Sequence, residues 1–127
     1  MTSYHRIFIS FAIEDAFARD NLVHQAKGEH TPFTFTDMSV KQPWDNAWKT
    51  NCRARIKGCD GMIAMLSANT LNADGALWEI QCAKEEGIPI LALHIFKDKK
   101  AATPSVLTGQ AVYEWTWAAV QGFLNRL

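Results

Sequence analysis

Met62-Ile63-Ala64-Met65-Leu66-Ser67, followed after a short loop by Gly75-Ala76-Leu77-Trp78-Glu79-Ile80, is the stretch that decides the fold. The first run is apolar to its end, as a strand covered on both faces by helices should be. In the second, at about 100° per residue, Ala76, Ile80, Ala83 and Gly87 fall on one narrow arc suited to pressing on a sheet. Glu79 lies roughly 60° from the centre of that arc, at its edge. Its helical neighbours are Gly75, Ala76, Cys82 and Ala83, all small. The pattern therefore predicts a strand, then a helix carrying a carboxylate at the mouth of a sheet, with empty space beside it.

The same rhythm extends outward in both directions. Arg6–Phe11 reads as a first strand and Glu14–Lys27 as a helix ended by Gly28, with Glu14 and Asp15 at its positive end. Thr31-Pro32 opens a second strand, Phe33–Asp37, whose alternating phenylalanines and threonines suit a sheet edge. Met38–Pro43 is a loop, and Asp45–Lys57 a helix before Gly58, with Trp44, Trp48, Cys52 and Ile56 in one stripe. Gly61–Ser67 is the third strand and Gly75–Glu86 the next helix, capped by Gly87. Ile88–Phe96 reads as a long fourth strand and Lys97–Ser105 as polar loop. Val112–Glu114 is a short fifth strand, and Thr116 an N-cap for a last helix with Val120, Phe123, Leu124 and Leu127 on one face. Alternating strands and helices imply parallel crossovers. The expected architecture is a flavodoxin-like α/β three-layer sandwich, a five-stranded parallel sheet in the order 2-1-3-4-5.

Composition narrows the function classes. A chain of 127 residues is expected to form one domain, residues 1–127. A formal net charge of zero gives no electrostatic case for nucleic acid or an anionic membrane. Cys52, Cys59 and Cys82 show no metal spacing and read as reduced core thiols. With no apolar run of spanning length and no secretory signal in the first residues, a cytoplasmic, soluble protein is expected.

Ligands in such sheets bind beyond the carboxyl ends of the strands, beside strand 1. Those ends carry Ser10-Phe11, Asp37, Ser67 and His94-Ile95-Phe96, and the Glu79 helix leaves the same edge. A partly desolvated carboxylate there is a candidate for chemistry; the plainer alternative is a boundary glutamate favoured by the helix dipole. Phe11, Trp44, Trp48 and Phe96 could stack a planar ring, although Trp48 and Trp44 also fit a core stripe. Asp37 could accept from ribose hydroxyls or simply start a turn. A G-x-G-x-x-G fingerprint, a P-loop and a G-x-S-x-G elbow are all missing. His94 reads as a satisfied core or rim histidine. A phosphoacceptor receiver is excluded, because strand 3 ends in Ser67 rather than an aspartate.

Arg6-Ile7-Phe8-Ile9-Ser10-Phe11, Met65-Leu66-Ser67, Trp78-Glu79-Ile80 and Ile88-Pro89-Ile90 together resemble the TIR-like domains of bacterial antiphage systems, above all those of the Thoeris ThsB type. The likeness covers residues 5–96. It implies a TIR fold and an NAD⁺ glycohydrolase or ADP-ribosyl cyclase activity, with Glu79 matching the catalytic glutamate and NAD⁺ as substrate rather than cofactor. Ser10, Phe11, Asp37, Trp44 and Ser67 are then the expected substrate-binding set. Met38–Trp44 takes the place of the loop that gates the pocket and mediates assembly in relatives. Many relatives carry tryptophan where this chain has Gly75, so that space either widens the pocket or is filled by Trp78. The resemblance also implies a second messenger in antiviral defence, a ThsA-like effector that senses the product, and scope for a homo-oligomer. Two alternatives stand beside it: a non-enzymatic TIR-like interaction module, and a nucleoside deoxyribosyltransferase-like enzyme.

Overall fold

A computed structural model describes residues 5–31, 33–38 and 40–127. Pro32 of the expected strand opening, Ser39 of the Met38–Trp44 loop and the first four residues lie outside the described residues. Five strands, β1 (His5–Phe11), β2 (Phe33–Thr36), β3 (Gly61–Leu66), β4 (Ile90–His94) and β5 (Val112–Glu114), form one sheet in the order β2-β1-β3-β4-β5. Every neighbouring pair is parallel, with Ser10 beside Ala64 and Met65 beside Leu93. The order and orientation are those expected from the sequence.

Four helices cover the sheet: α1 (Ala16–Gly28), α2 (Asn46–Lys57), α3 (Asp74–Glu85) and α4 (Trp117–Asn125). Strand alternation sorts the side chains into two cores. Ile7, Ile9, Phe11, Ile63, Met65, Leu91 and Leu93 pack with Ala18 and Leu22 of α1 and Val120, Phe123 and Leu124 of α4. Phe8, Met62, Ala64, Leu66 and Ala92 pack with Trp48, Cys52 and Ile56 of α2 and Ile80, Cys82 and Ala83 of α3. Ser10 shares the parity of Phe8, which turns it toward the second layer and α3. The three cysteines are free and buried, and burial pushes the Cys59 thiol up to about 11.

Several boundaries differ from the sequence reading. The first helix does not begin at Glu14: Ile13–Asp15 forms a 3-10 turn, and Asp15 is drawn inward to accept from Ser67 Oγ and Asn69 Nδ2. Ser67 is not the end of β3. It caps a further 3-10 turn, Ala68–Asn72, in a reciprocal box with Thr70, and that turn sets where α3 starts. The fourth strand is Ile90–His94 rather than Ile88–Phe96. Ile88 belongs to the exit from α3, Pro89 has no N–H to add to a ladder, and Phe96 leaves the sheet to meet Phe17 at 5.9 Å between ring centroids. Trp44 does not join the α2 stripe, because Asp45 is the N-cap and the helix begins only after it.

Gly87 ends α3 as expected. Its φ of +70° is left-handed, its N–H donates to Lys84, and Ile88 N–H donates to Ala83, the paired bonds of a Schellman cap. An L side chain in this conformation costs about 1–2 kcal/mol. Gly87→Ala should therefore lower unfolding free energy in urea by about that amount, and an unchanged midpoint would contradict this account of the cap.

Candidate functional site

Glu79 lies in the second turn of α3 beneath the carboxyl end of β1, and none of it is exposed. The sequence placed it at the edge of the buried arc; it is instead wholly inside. Ser10 Oγ lies 2.9 Å from Glu79 Oε1 and 3.3 Å from the Ala76 carbonyl. A hydroxyl has one proton to give, and the shorter bond to the charged acceptor is the stronger. Ser10 thus fixes the carboxylate's orientation.

The second partner comes from the loop after β2. Lys41 Nζ donates to both carboxylate oxygens, at 2.8 Å to Oε2 and 3.1 Å to Oε1. Its side chain is only 9% exposed. The same ammonium stands 4.2 Å from the centroid of the Phe11 ring, within cation–π range. Burial pushes the Glu79 carboxyl up to about 7, against the lowering effects of Lys41 and Ser10 and with a smaller rise from Asp37. Desolvation outweighs the ion pair, so the group is poised to change charge near neutrality.

Gly75 makes room for Lys41. A β-carbon at position 75 would come within 2.7 Å of Lys41 Cβ. The space beside Glu79 is therefore neither empty nor filled by Trp78. Trp78 instead packs on Trp48 with centroids 5.5 Å apart, under the Arg53 guanidinium. The loop around Lys41 is pinned from α2: Trp48 Nε1 donates to the Val40 carbonyl and Arg55 to that of Asp37, both at 2.6 Å.

The other residues singled out from the sequence spread around this pair. Phe11 is buried, its ring under Lys41 and 5.2 Å from the Arg19 guanidinium. Asp37 accepts from Arg19 at 3.0 Å, so its carboxylate is already engaged. Ser67 is buried and hydrogen-bonded to Asp15 rather than to Glu79. Trp44 is 76% exposed. It lines a cleft of about 250 Å³ with Ile13, Lys41, Asp74, Gly75 and Ala76, on the outer side of Lys41. A larger open groove of about 740 Å³ runs along α2 and Trp78, but no residue of the Glu79 constellation lines it. His94 Nδ1 is buried without a partner among the described residues, so that histidine is not the satisfied one expected.

Lys41, Asp15 and Asn69 were not found as site or support residues from the sequence. Lys41 looked like loop, and its partner is 38 residues away; the only local sign was the small residue at position 75. Among the described residues no cluster of three or more His, Cys, Asp or Glu could hold a metal ion. No helix among them is long and apolar enough to cross a membrane. Chemically, the site is a single orientable carboxylate able to stabilise a positive charge or take a proton.

Residues 8–100 match the family model described as Thoeris protein ThsB, TIR-like domain. No curated protein matches the chain. Among solved structures, the TIR domains of the activated Roq1 resistosome, which directly recognises the pathogen effector XopQ, superimpose with a TM-score of 0.54 at 16% identity. That match covers 95% of this chain and 70% of the other, and it establishes the TIR fold.

Because the folded carboxyl holds its proton more tightly than an unfolded glutamate, stability falls as pH rises from about 4.5 to about 7. Glu79→Gln removes that penalty, leaving Lys41 able to reach water. The variant should gain roughly 1–3 kcal/mol over the parent at pH 8 and much less at pH 5. Equal gains in thermal melts at the two pH values would count against a desolvated carboxyl.

Proposed function

The chain belongs to the TIR-like domain family of the Thoeris protein ThsB, and on that premise we propose that it cleaves the nicotinamide–ribose bond of NAD⁺. Membership of this family is consistent with antiphage defence. The observation that carries the chemical reading is Glu79: buried, oriented by Ser10, and with a carboxyl pushed up to about 7 at the carboxyl edge of the sheet.

The chemistry follows from charge. When the C1′–N bond breaks, its electron pair stays with nicotinamide, which leaves neutral and needs no general acid. The ribosyl group becomes an oxocarbenium-like cation. A carboxylate held beside it lowers that barrier electrostatically, as in glycoside hydrolysis. Capture by water gives ADP-ribose. Capture by a nucleophile of the same molecule gives a cyclic ADP-ribose-type product, and exclusion of water by the loop favours this route. Where the attacking group is water or a ribose hydroxyl, the proton it loses can pass to Glu79, whose affinity for it suits neutral pH.

The cleft of about 250 Å³ beside Trp44 falls below the usual range for small-molecule sites, roughly 300–1,000 Å³. A dinucleotide therefore requires the Lys41 loop to yield, which supports a low basal rate. A product-sensing, ThsA-like effector completes the proposed pathway. A second reading, an interaction module, draws support from Ile13, Phe17, Val40, Trp44, Leu71 and Phe96, all exposed apolar side chains on elements near that edge. The same surface would serve self-association of the enzyme.

The test is incubation with NAD⁺ at high protein concentration, and in cells after phage challenge, with product mass and chromatography as the readout. The parent should release nicotinamide and an ADP-ribose-derived product, and Glu79→Gln should fold but lose at least about a hundredfold in rate. Turnover by Glu79→Gln at the parental rate would remove Glu79 from the chemistry. Partner-dependent assembly without NAD⁺ loss would select the interaction module, and base release from deoxynucleosides with NAD⁺ untouched would select a deoxyribosyltransferase.

A further inference from the structure

The aspartate at the start of α1 does not cap its own helix. Asp15 stands at the N-cap position of α1, where an aspartate ordinarily accepts from the first backbone N–H groups, yet its side chain makes no such bond. Asp15 is 1% exposed, and its carboxylate is turned across the end of the sheet, from the loop after β1 to the loop after β3. There Oδ2 accepts from Ser67 Oγ, and Oδ1 from Asn69 Nδ2 at 3.0 Å. Forgoing a local cap and burying a carboxylate on neutral donors both cost stability. A residue that breaks a local rule in this way is serving something other than its own helix.

We propose that Asp15 is a positioning residue for Glu79, acting through the Ser67-capped turn that starts α3. The role of Glu79 in turnover is taken from the proposed NAD⁺ chemistry, but the positioning itself does not depend on it.

A serine hydroxyl has one proton to give. By taking it, Asp15 leaves the lone pairs of Ser67 Oγ to the Asn69 N–H, which donates at 3.0 Å. Asp15 thereby selects the hydroxyl orientation in which Ser67 acts as a cap. From this cap a chain of hydrogen bonds leads to Glu79. Ser67 N–H donates to Thr70 Oγ1 at 3.0 Å. Ala73 N–H donates to the Thr70 carbonyl at 3.1 Å, and Leu77 N–H to the Ala73 carbonyl at 3.0 Å. Leu77 lies two residues before Glu79.

The same stretch, residues 10–15, touches α3 a second time. Ser10 Oγ lies 2.9 Å from Glu79 Oε1 and 3.3 Å from the Ala76 carbonyl. One short segment after β1 thus holds the start of α3 at two points, of which Asp15 is the one that does not meet Glu79. Misplacing a reacting group by roughly 1 Å can cost about a hundredfold in rate, so the second point matters to chemistry as well as to folding.

The experiment compares the full chain with Asp15→Asn, Ser67→Ala, Ser67→Thr and Gly87→Ala. It reads the carbon-13 titration of the Glu79 carboxyl, and kcat and KM for NAD⁺. Asp15→Asn keeps the size of the side chain but turns an N–H₂ toward one of its two donors. With the start of α3 loosened, water reaches Glu79, and its midpoint should fall from about 7 toward the ordinary glutamate range. The kcat should fall by about a hundredfold with KM little changed. Ser67→Ala should do the same, and Ser67→Thr, which keeps the hydroxyl, should restore both. Gly87→Ala weakens the other end of the same helix and should leave midpoint and kcat at their parental values, which separates positioning from loss of stability. A folded Asp15→Asn or Ser67→Ala protein with the parental midpoint overturns the proposal, as does an equal displacement in Gly87→Ala. Where neither variant folds, Asn69→Ala decides: Asn69 is exposed, its loss takes one donor from Asp15, and an unmoved midpoint there rejects the positioning role. A midpoint that moves as stated while no protein, the parent included, cleaves NAD⁺ upholds the positioning and rejects the proposed enzyme.

Discussion

Placing one carboxylate inside the protein, at the edge where the five parallel strands end, is the constraint around which this structure is arranged. Glu79 has no exposure, so its charge must be compensated from within the fold. Ser10 meets it because strand alternation turns that residue toward α3. Lys41 meets it because Gly75 leaves a passage for the lysine stem. The 3-10 turn Ala68–Asn72, capped by Ser67 and tied to Asp15, fixes where α3 begins and hence where Glu79 stands. What looked in the sequence like separate residues at the ends of strands is a support for one group.

The sheet could be read from the sequence because its determinants are local. Parity on β1 and β3 separates the two cores, and the glycines after α2 and α3 stop those helices within a residue of the expected ends. The candidate site could be read only in part. Glu79 and Ser10 were found because both lie on regular elements with a defined period. Lys41 was missed because a loop has no period and its partner is remote in sequence. Trp44 was assigned to a helical stripe that Asp45, as N-cap, cuts off before it. The fourth strand was overextended because apolar character continues through Ile88 and Phe96, while pairing depends on backbone N–H groups and chain direction. The open question over Gly75 had two anticipated answers, a wider pocket or Trp78; the lysine stem is a third.

Burial and compensation also join fold to function. The fold puts the crevice between β1 and its neighbours at the carboxyl end, where open α/β sheets hold ligands. The TIR-like ThsB family and the TIR fold of the superimposable Roq1 domains agree with that architecture. Within it, a carboxylate whose proton affinity lies near neutrality can act by charge or as a base. The lysine that compensates it caps both of its oxygens. The ion pair offsets part of the cost of burying that carboxylate and leaves desolvation ahead in the balance.

The most direct measurement of this account is a carbon-13 NMR titration of the Glu79 side-chain carboxyl in the intact protein. Desolvation by burial, working against Lys41 and Ser10, predicts a midpoint near 7. A midpoint in the ordinary glutamate range, about 4.3, would mean that the carboxyl is solvated, and would contradict the buried, compensated group on which the proposed chemistry rests.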